Sequence, residues 1–378
     1  MKPNTPGSLV EHFSILEDPR RERHNTKRHN LIDIVVITIL AVICGADDWP
    51  TIVAFGKKKE DWLRQFLELP HGIPSHDTFG RVLSLLDPEA FQHCFLSWIK
   101  IANRKTNGQV VAVDGKTNLR SYDTSTDPLH IVSAFATESG LALGQRATDT
   151  KSNEIIAIPK LLRTLELTGC IVTIDAMGCQ KKIAQTILNR AADYVLAVKG
   201  NQKTIHEDLK VLFGKERYEQ SQGDSFQTKE HNAGRYEVRR CRTITDTRLL
   251  PQGNYHRYGW PGLKALAQVT SQRTVRGKTT TDTRYYLSSR AGSAEEILSA
   301  ARSHWRIENS LHWVLDVAFR EDASRIRIGH AQENLSAVRK LALDLLRREP
   351  SGQGGIKSRR LQAGWDDEYL LAVIGIQA

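Results

Sequence analysis

Val110-Val111-Ala112-Val113-Asp114 and Ile171-Val172-Thr173-Ile174-Asp175 are the two stretches whose reading decides the fold. Each is a short, mostly β-branched run ending in an aspartate, the pattern of a buried strand. Gly115-Lys116 after the first acid reads as a turn. Working outward, His130–Thr137 and Leu141–Thr148 are expected strands, joined by Glu138-Ser139-Gly140 as a hairpin. Ile155–Leu167 has helical periodicity and ends before Gly169. Gln180–Arg190 is a second helix, and Tyr194–Lys199 a further strand closed by Gly200-Asn201. Three successive strands, then alternating helices and strands, predict an α/β domain with a mixed sheet and helices on its faces.

Upstream, residues 1–106 read as an all-α N-terminal domain. Helices are expected over Leu31–Gly45, roughly Trp49–Leu69, from Ser75 through Leu86, and from Asp87-Pro88-Glu89 to Ile101. Such a domain can hold a helix-turn-helix, with HDTFGRVLSLL (76–86) as its recognition element; plain packing is the alternative. The basic RRERHNTKR (20–28) reads as an arm touching DNA or as a solvated segment. Downstream, residues 107–348 form the catalytic domain. A β-rich insertion fills 213–290, with short β-prone runs at Tyr236–Arg242, Leu266–Gln272 and Arg284–Ser288. Ser293-Ala294-Glu295-Glu296 caps a long helix running to about Phe319. Residues 331–348 form another helix and 349–378 a C-terminal tail, of which Ser351–Arg360 is Gly- and Lys/Arg-rich and expected to be mobile.

The net charge is +10, and residues 213–290 alone carry fifteen Lys and Arg against seven Asp and Glu. A polyanion such as DNA explains a concentrated excess of this kind; a merely solubilising surface is the alternative. The five cysteines include no CxxC pair, which argues against a disulfide framework or structural zinc. The longest apolar run, Ile34–Ala46, falls short of the roughly twenty residues that span a bilayer, so a buried helix is expected and no membrane role.

The chemistry is expected at Asp114 and Asp175. Carboxylates at the ends of adjacent buried strands converge on one point and bind Mg²⁺ or Mn²⁺, with positions left for water and phosphate oxygens. Two ions about 4 Å apart would serve in-line displacement at phosphorus. Strand-end aspartates also cap turns, which is the bland reading. Glu308, within His304–Trp313, is the expected third acid, with Asp316 as its competitor on the same helix. On a helix Trp305, Glu308 and His312 share a face, while Ile307 and Trp313 are expected to pack on the core. His304, Glu308 and His312 also fit a zinc spacing, but no HExxH and no nearby Cys supports it. Lys116 and Lys199, at strand ends, are candidate phosphate grips. No P-loop, GxSxG or dinucleotide fingerprint is present.

The strand order is that of the RNase H-like fold, and longer matches are more specific still. HNLIDI (29–34), CGADDW (44–49), GIPSHDTFGRVLSLLDP (72–88), AVDGKT (112–117), IDAMGCQ (174–180), YVLAVKGNQ (194–202), RYYLSS (284–289), HWRIENSLHWVLDVAFRED (304–322) and NLSAVRKLAL (334–343) together resemble one family. It is the H-repeat-associated group of bacterial insertion-sequence transposases, DDE enzymes with an RNase H-like core. The resemblance runs from about residue 10 to about residue 348. It implies that Asp114, Asp175 and Glu308 are the three catalytic, metal-binding acids. It implies metal-dependent cleavage at element ends, then attack of the freed 3′-hydroxyl on target DNA. Its implied partners are the element's terminal repeats and target DNA, bound as a dimer, in the bacterial cytoplasm on the nucleoid. The chain departs from the Tyr-x-x-Arg-x-x-x-Glu-x₆-Lys signature of related enzymes: Ala301, His304 and Leu315 occupy the Tyr, Arg and Lys positions. Arg302 or Arg306 takes over the phosphate contact, with His304 beside them. A nuclease on the same fold and a catalytically silent DNA-binding relic are the competing readings.

Overall fold

The computed structural model describes residues 9–21, 27–102, 108–118, 128–148, 153–221, 223–232, 234–250 and 259–375. Helices come first: α1 (Leu9–Phe13), α2 (Leu31–Ile43), α3 (Trp49–Lys58), α4 (Glu60–Leu63), α5 (His76–Leu85) and α6 (Pro88–Ala102). Apart from Leu31 and Ile32, α2 is buried along its whole length, as an all-round apolar helix must be. The single helix expected over Trp49–Leu69 is broken. Three successive lysines close α3, favourable beside its C-terminal dipole, and Leu69 turns left-handed at φ 43°. Ser75 caps α5 by accepting from the Thr78 amide at 3.3 Å. Phe79, Val82 and Leu83 of α5 face inward, leaving His76, Asp77, Arg81 and Leu85 outside. Of the basic segment 20–28, residues 22–26 lie outside the described residues; Arg20 is held by Asp18 at 2.6 and 2.9 Å.

The sheet begins with β1 (Val110–Thr117), β2 (His130–Ala136) and β3 (Leu141–Thr148). Then come α7 (Glu154–Thr164), β4 (Ile171–Ile174), α8 (Lys181–Asn189), β5 (Asp193–Val198), α9 (Lys203–Leu212) and α10 (Lys215–Gln220). Strand order is β3-β2-β1-β4-β5, with β1, β4 and β5 parallel and the β1–β2–β3 pairings antiparallel. This is the expected RNase H-like arrangement. The 213–290 segment adds β6 (Asp224–Asn232), β7 (Arg235–Ile244), β8 (Ala265–Val275) and β9 (Lys278–Ser288). They continue the same sheet in the order β5-β9-β8-β7-β6, so nine strands form one surface. β6 escaped the sequence reading because Asp-Ser-Phe-Gln-Thr-Lys-Glu-His-Asn is polar apart from Phe226, the composition of a solvated edge strand.

After β9 come α11 (Ala294–His304), α12 (Trp313–Phe319), α13 (Ala331–Arg348), α14 (Ile356–Trp365) and α15 (Asp367–Val373). The capping box forms: Ser293 Oγ accepts from the Glu296 amide at 3.2 Å, and Glu296 accepts from the Ser293 amide at 3.0 Å. The long helix expected through Phe319 is interrupted between α11 and α12 by a π-helical turn, Ile307–His312. α13 packs on α2, α5 and β3, joining N-terminal helices and sheet in one continuous core. It also caps the exposed edge of β3: Asp344 accepts from the Ala142 amide and Glu333 from the Ala147 amide, at 3.0–3.1 Å. The expected mobile tail is instead folded. Arg360 of α14 is buried against Phe319 and donates to Val42 O, Ala318 O and Asp47, which pins α14 to α2 and α12. No described helix is long and apolar enough to cross a membrane.

Candidate active site

β1 and β4 pair in parallel up to Val113↔Ile174, so Asp114 and Asp175 are the next residues on neighbouring strands. Equal register puts both side chains on one face, the face that α11 covers. β1 does not end at the acid as expected. It runs on to Thr117 against β2, because Gly115 is a strand residue and not a turn. A Cβ at Gly115 would lie 2.3 Å from Glu154 Oε1 and 2.5 Å from His130 Nε2, two buried groups bonded to each other at 2.6 Å. Glycine is therefore required directly after the acid. Asp175 leaves β4 and accepts from the amides of Met177 (3.0 Å) and Gly178 (3.2 Å), which orients one carboxylate oxygen and leaves the other for the cleft.

Glu308 comes from the π-turn to the cleft that Asp114 and Asp175 line. One ligating atom each from Asp114, Glu308 and His312 can lie within 4.8 Å of one another. His312 Nδ1 stands 3.7 Å from Asp114 Oδ2 and 3.6 Å from Glu308 Oε2. A cleft of about 180 Å³ is lined by Asp114, Asp175 and Glu308 together with His304, Lys199 and Arg284. Burial, and then the neighbouring charges of Glu308 and Asp175, raise Asp114 to about 8. The His312 imidazole, chiefly, holds Glu308 down to about 2. Burial and the neighbouring carboxylates thus favour the neutral form of Asp114, and the imidazole favours the charged form of Glu308. Converging carboxylates that cannot all ionise together are a site that a divalent cation relieves, and hard oxygen donors suit such an ion.

The competitor Asp316 is elsewhere. It binds Lys116 at 2.5 Å, and Lys116 also reaches Asp322 (2.9 Å) and Glu321 (3.3 Å). Lys116, expected among the phosphate grips, has its charge neutralised by these three acids and a side chain only 12% exposed. Lys199 is exposed at the end of β5 on the cleft rim. His304 is held by Thr173 at 3.2 Å, and burial lowers its pKa. Arg302 pairs with Glu230 at 2.6 Å. Arg302 and Arg306 line a second cleft of about 580 Å³ with Arg235, Arg239, Arg273 and Arg284, contiguous with the acids through Arg284, Trp305 and Ala301. Trp305 is half-exposed beneath the Arg284 guanidinium (4.8 Å). Trp313, expected in the core, is 61% exposed, while Ile307 is buried as expected. Sequence reading missed Arg284 at the site. For His312, expected to share a face with Glu308 and otherwise read only in a zinc spacing, the i+4 separation from Glu308 was the available signal.

Residues 105–345 match the family model described as a transposase DDE domain, and residues 10–99 the model for its associated N-terminal region. A protein of Escherichia coli named as a transposase, YncI, is 41% identical over 97% of this chain and 94% of its own length. A second Escherichia coli protein, YhhI, named as an H repeat-associated transposase, is 38% identical over 97% of both chains. Among solved structures, a piggyBac transposase synaptic complex with hairpin DNA aligns with 94% of this chain and 75% of its own, at 11% identity and a TM-score of 0.41. The chain belongs to the H-repeat-associated group of DDE transposases.

Proposed function

We propose that Asp114, Asp175 and Glu308 are the catalytic acids of this transposase and hold its divalent metal, Mg²⁺ or Mn²⁺, as a pair of ions. The reading rests on one observation: strand register and the π-turn bring the three acids to one cleft, while Asp316 is taken by Lys116. Bound there, the cations would activate the attacking oxygen and stabilise the leaving one, at both end cleavage and strand transfer. Lys199, Arg302, His304 and Arg306 bind and orient DNA phosphates along the two adjoining clefts. Lys116 acts instead as a structural cation. Two element ends must be held together with a target, so the working assembly is a dimer on DNA. Residues 1–106 supply further DNA contacts, and the protein works on the bacterial nucleoid in the cytoplasm.

The test is a strand-transfer assay with labelled terminal-repeat duplex, a plasmid target and Mg²⁺ or Mn²⁺. Joined product from the wild type, lost in Asp114→Asn, Asp175→Asn and Glu308→Gln, supports the proposal. Cleavage without joining would make the protein a nuclease. Binding with neither reaction, under both metals, would make it a silent DNA-binding relic. Full activity in Glu308→Gln would remove Glu308 from the triad.

A further inference from the structure

We infer that His312 is a protein ligand of the metal centre through Nδ1, so that the site offers nitrogen as well as oxygen and favours Mn²⁺ over Mg²⁺. The inference rests on the proposal that Asp114 and Glu308 hold the cation. His312 is 4% exposed. A buried imidazole ordinarily has its ring nitrogens committed to hydrogen bonds. Here Nε2 has no partner among the described residues, and Nδ1 points between two carboxylates at 3.6 and 3.7 Å. Those separations exceed a direct hydrogen bond of about 2.9 Å. They are close to the roughly 3 to 3.5 Å between two atoms that ligate one ion at about 2.1 Å each.

The backbone gives an independent reason. The π-turn spans Ile307–His312, from the residue before the third acid to the histidine. Such turns are rare, cost hydrogen-bond geometry and occur mostly at functional sites. This one carries Glu308 and His312 on a single wide turn, both facing Asp114. His304, the other histidine on this segment, is tied to Thr173 at 3.2 Å and lines the cleft beside Asp175 and Glu308. Imidazole is a better ligand for manganese than for magnesium, which prefers oxygen and retains water.

The test is pulsed EPR of Mn²⁺ bound to the full-length protein without DNA, prepared with natural-abundance and with ¹⁵N-labelled histidine. The expected result is a nitrogen modulation that changes with the isotope and is absent in His312→Gln. Mn²⁺ affinity in that variant should fall about tenfold or more, and Mg²⁺ affinity by less. If His312→Gln does not fold, ¹⁵N-histidine-labelled His304→Gln decides: nitrogen modulation that persists there keeps the inference, and modulation lost there overturns it. Bound Mn²⁺ that is lost in Asp114→Asn but shows no nitrogen modulation would overturn the inference and leave the acids as ligands. Modulation that survives in His312→Gln and vanishes in His304→Gln would overturn it too. Mn²⁺ that binds without needing Asp114 would sink both readings.

Discussion

Asp114 and Glu308 face each other across the cleft in different surroundings. The Asp114 side chain is 16% exposed and the Glu308 side chain 52%, so burial favours the neutral form more strongly at Asp114. Removing any one of the three acids should lower strand transfer by at least about a thousandfold, roughly 4 kcal/mol of transition-state stabilisation. Asp316→Asn breaks only the contact to Lys116, so it should shift the urea unfolding midpoint while joining stays within about tenfold. Joining rates measured beside unfolding curves separate the two, and a rate collapse in Asp316→Asn would reverse the assignment. Gly115→Ala is a sharper local probe. Its methyl group meets the buried His130–Glu154 pair, so overpacking should cost on the order of 1–3 kcal/mol in equilibrium unfolding.

At the scale of elements, β1, α12 and α13 meet around charge. Glu321, just beyond α12, is fully buried and faces Lys116, while its Oε1 accepts from Ser336 at 2.7 Å. Lys340 of α13 donates to Ser336 at 2.9 Å and to Gln145 of β3 at 2.7 Å. Although burial alone would raise it, the charges of Lys340, Lys116 and Arg339 hold Glu321 down to about 2. An acid with a depressed folded pKa stabilises the protein above its ordinary pKa of about 4.5 and loses that contribution as pH falls through about 2. The shift corresponds to about 3 kcal/mol. Glu321→Gln should therefore destabilise the protein by about that amount at neutral pH and flatten the fall in stability below pH 4.5. Urea titrations between pH 7 and pH 3 test this; an unchanged acid limb would show that the network contributes little.

One nine-stranded sheet runs through the molecule, and its basic half lies beside the acids. If Lys199 and Arg306 each neutralise a phosphate, Lys199→Ala and Arg306→Ala should each reduce the slope of log affinity against log salt by about one. Lys116→Met should leave that slope unchanged. The C-terminal helices set a second prediction at this scale. Truncation after Glu349 removes the buried Arg360 and its bonds to α2 and α12. It should give aggregated or unfolded protein, read by size-exclusion chromatography and circular dichroism. A monodisperse, active truncation would mean that α14 and α15 are accessory.

Much of this was legible in one dimension. The runs before Asp114 and Asp175, the hairpin between them and the Ser293–Glu296 capping box depend on neighbours in sequence: alternation, turn residues and a cap. α13 was readable from Ala331 to Arg348 for the same reason, its apolar spacing continuing over five turns. The helix His304–Trp313 offered Glu308 as the third acid, and the family resemblance matched it. Other features had no local signal. Asp114 and Asp175 adjoin because β1 and β4 pair in a particular register, a fact about two distant segments. The π-turn buries Ile307, Leu311 and His312 together, and what the segment packs against, not its own spacing, decides that. Lys116 looks like a free strand-end lysine until three acids from around residue 320 fold onto it, and the polar tail looks mobile until Arg360 finds carbonyls on two other helices. Sequence alone determined the elements and the chemical types at the site. Tertiary structure decided which charges meet, because charges are paired by proximity in space and not along the chain.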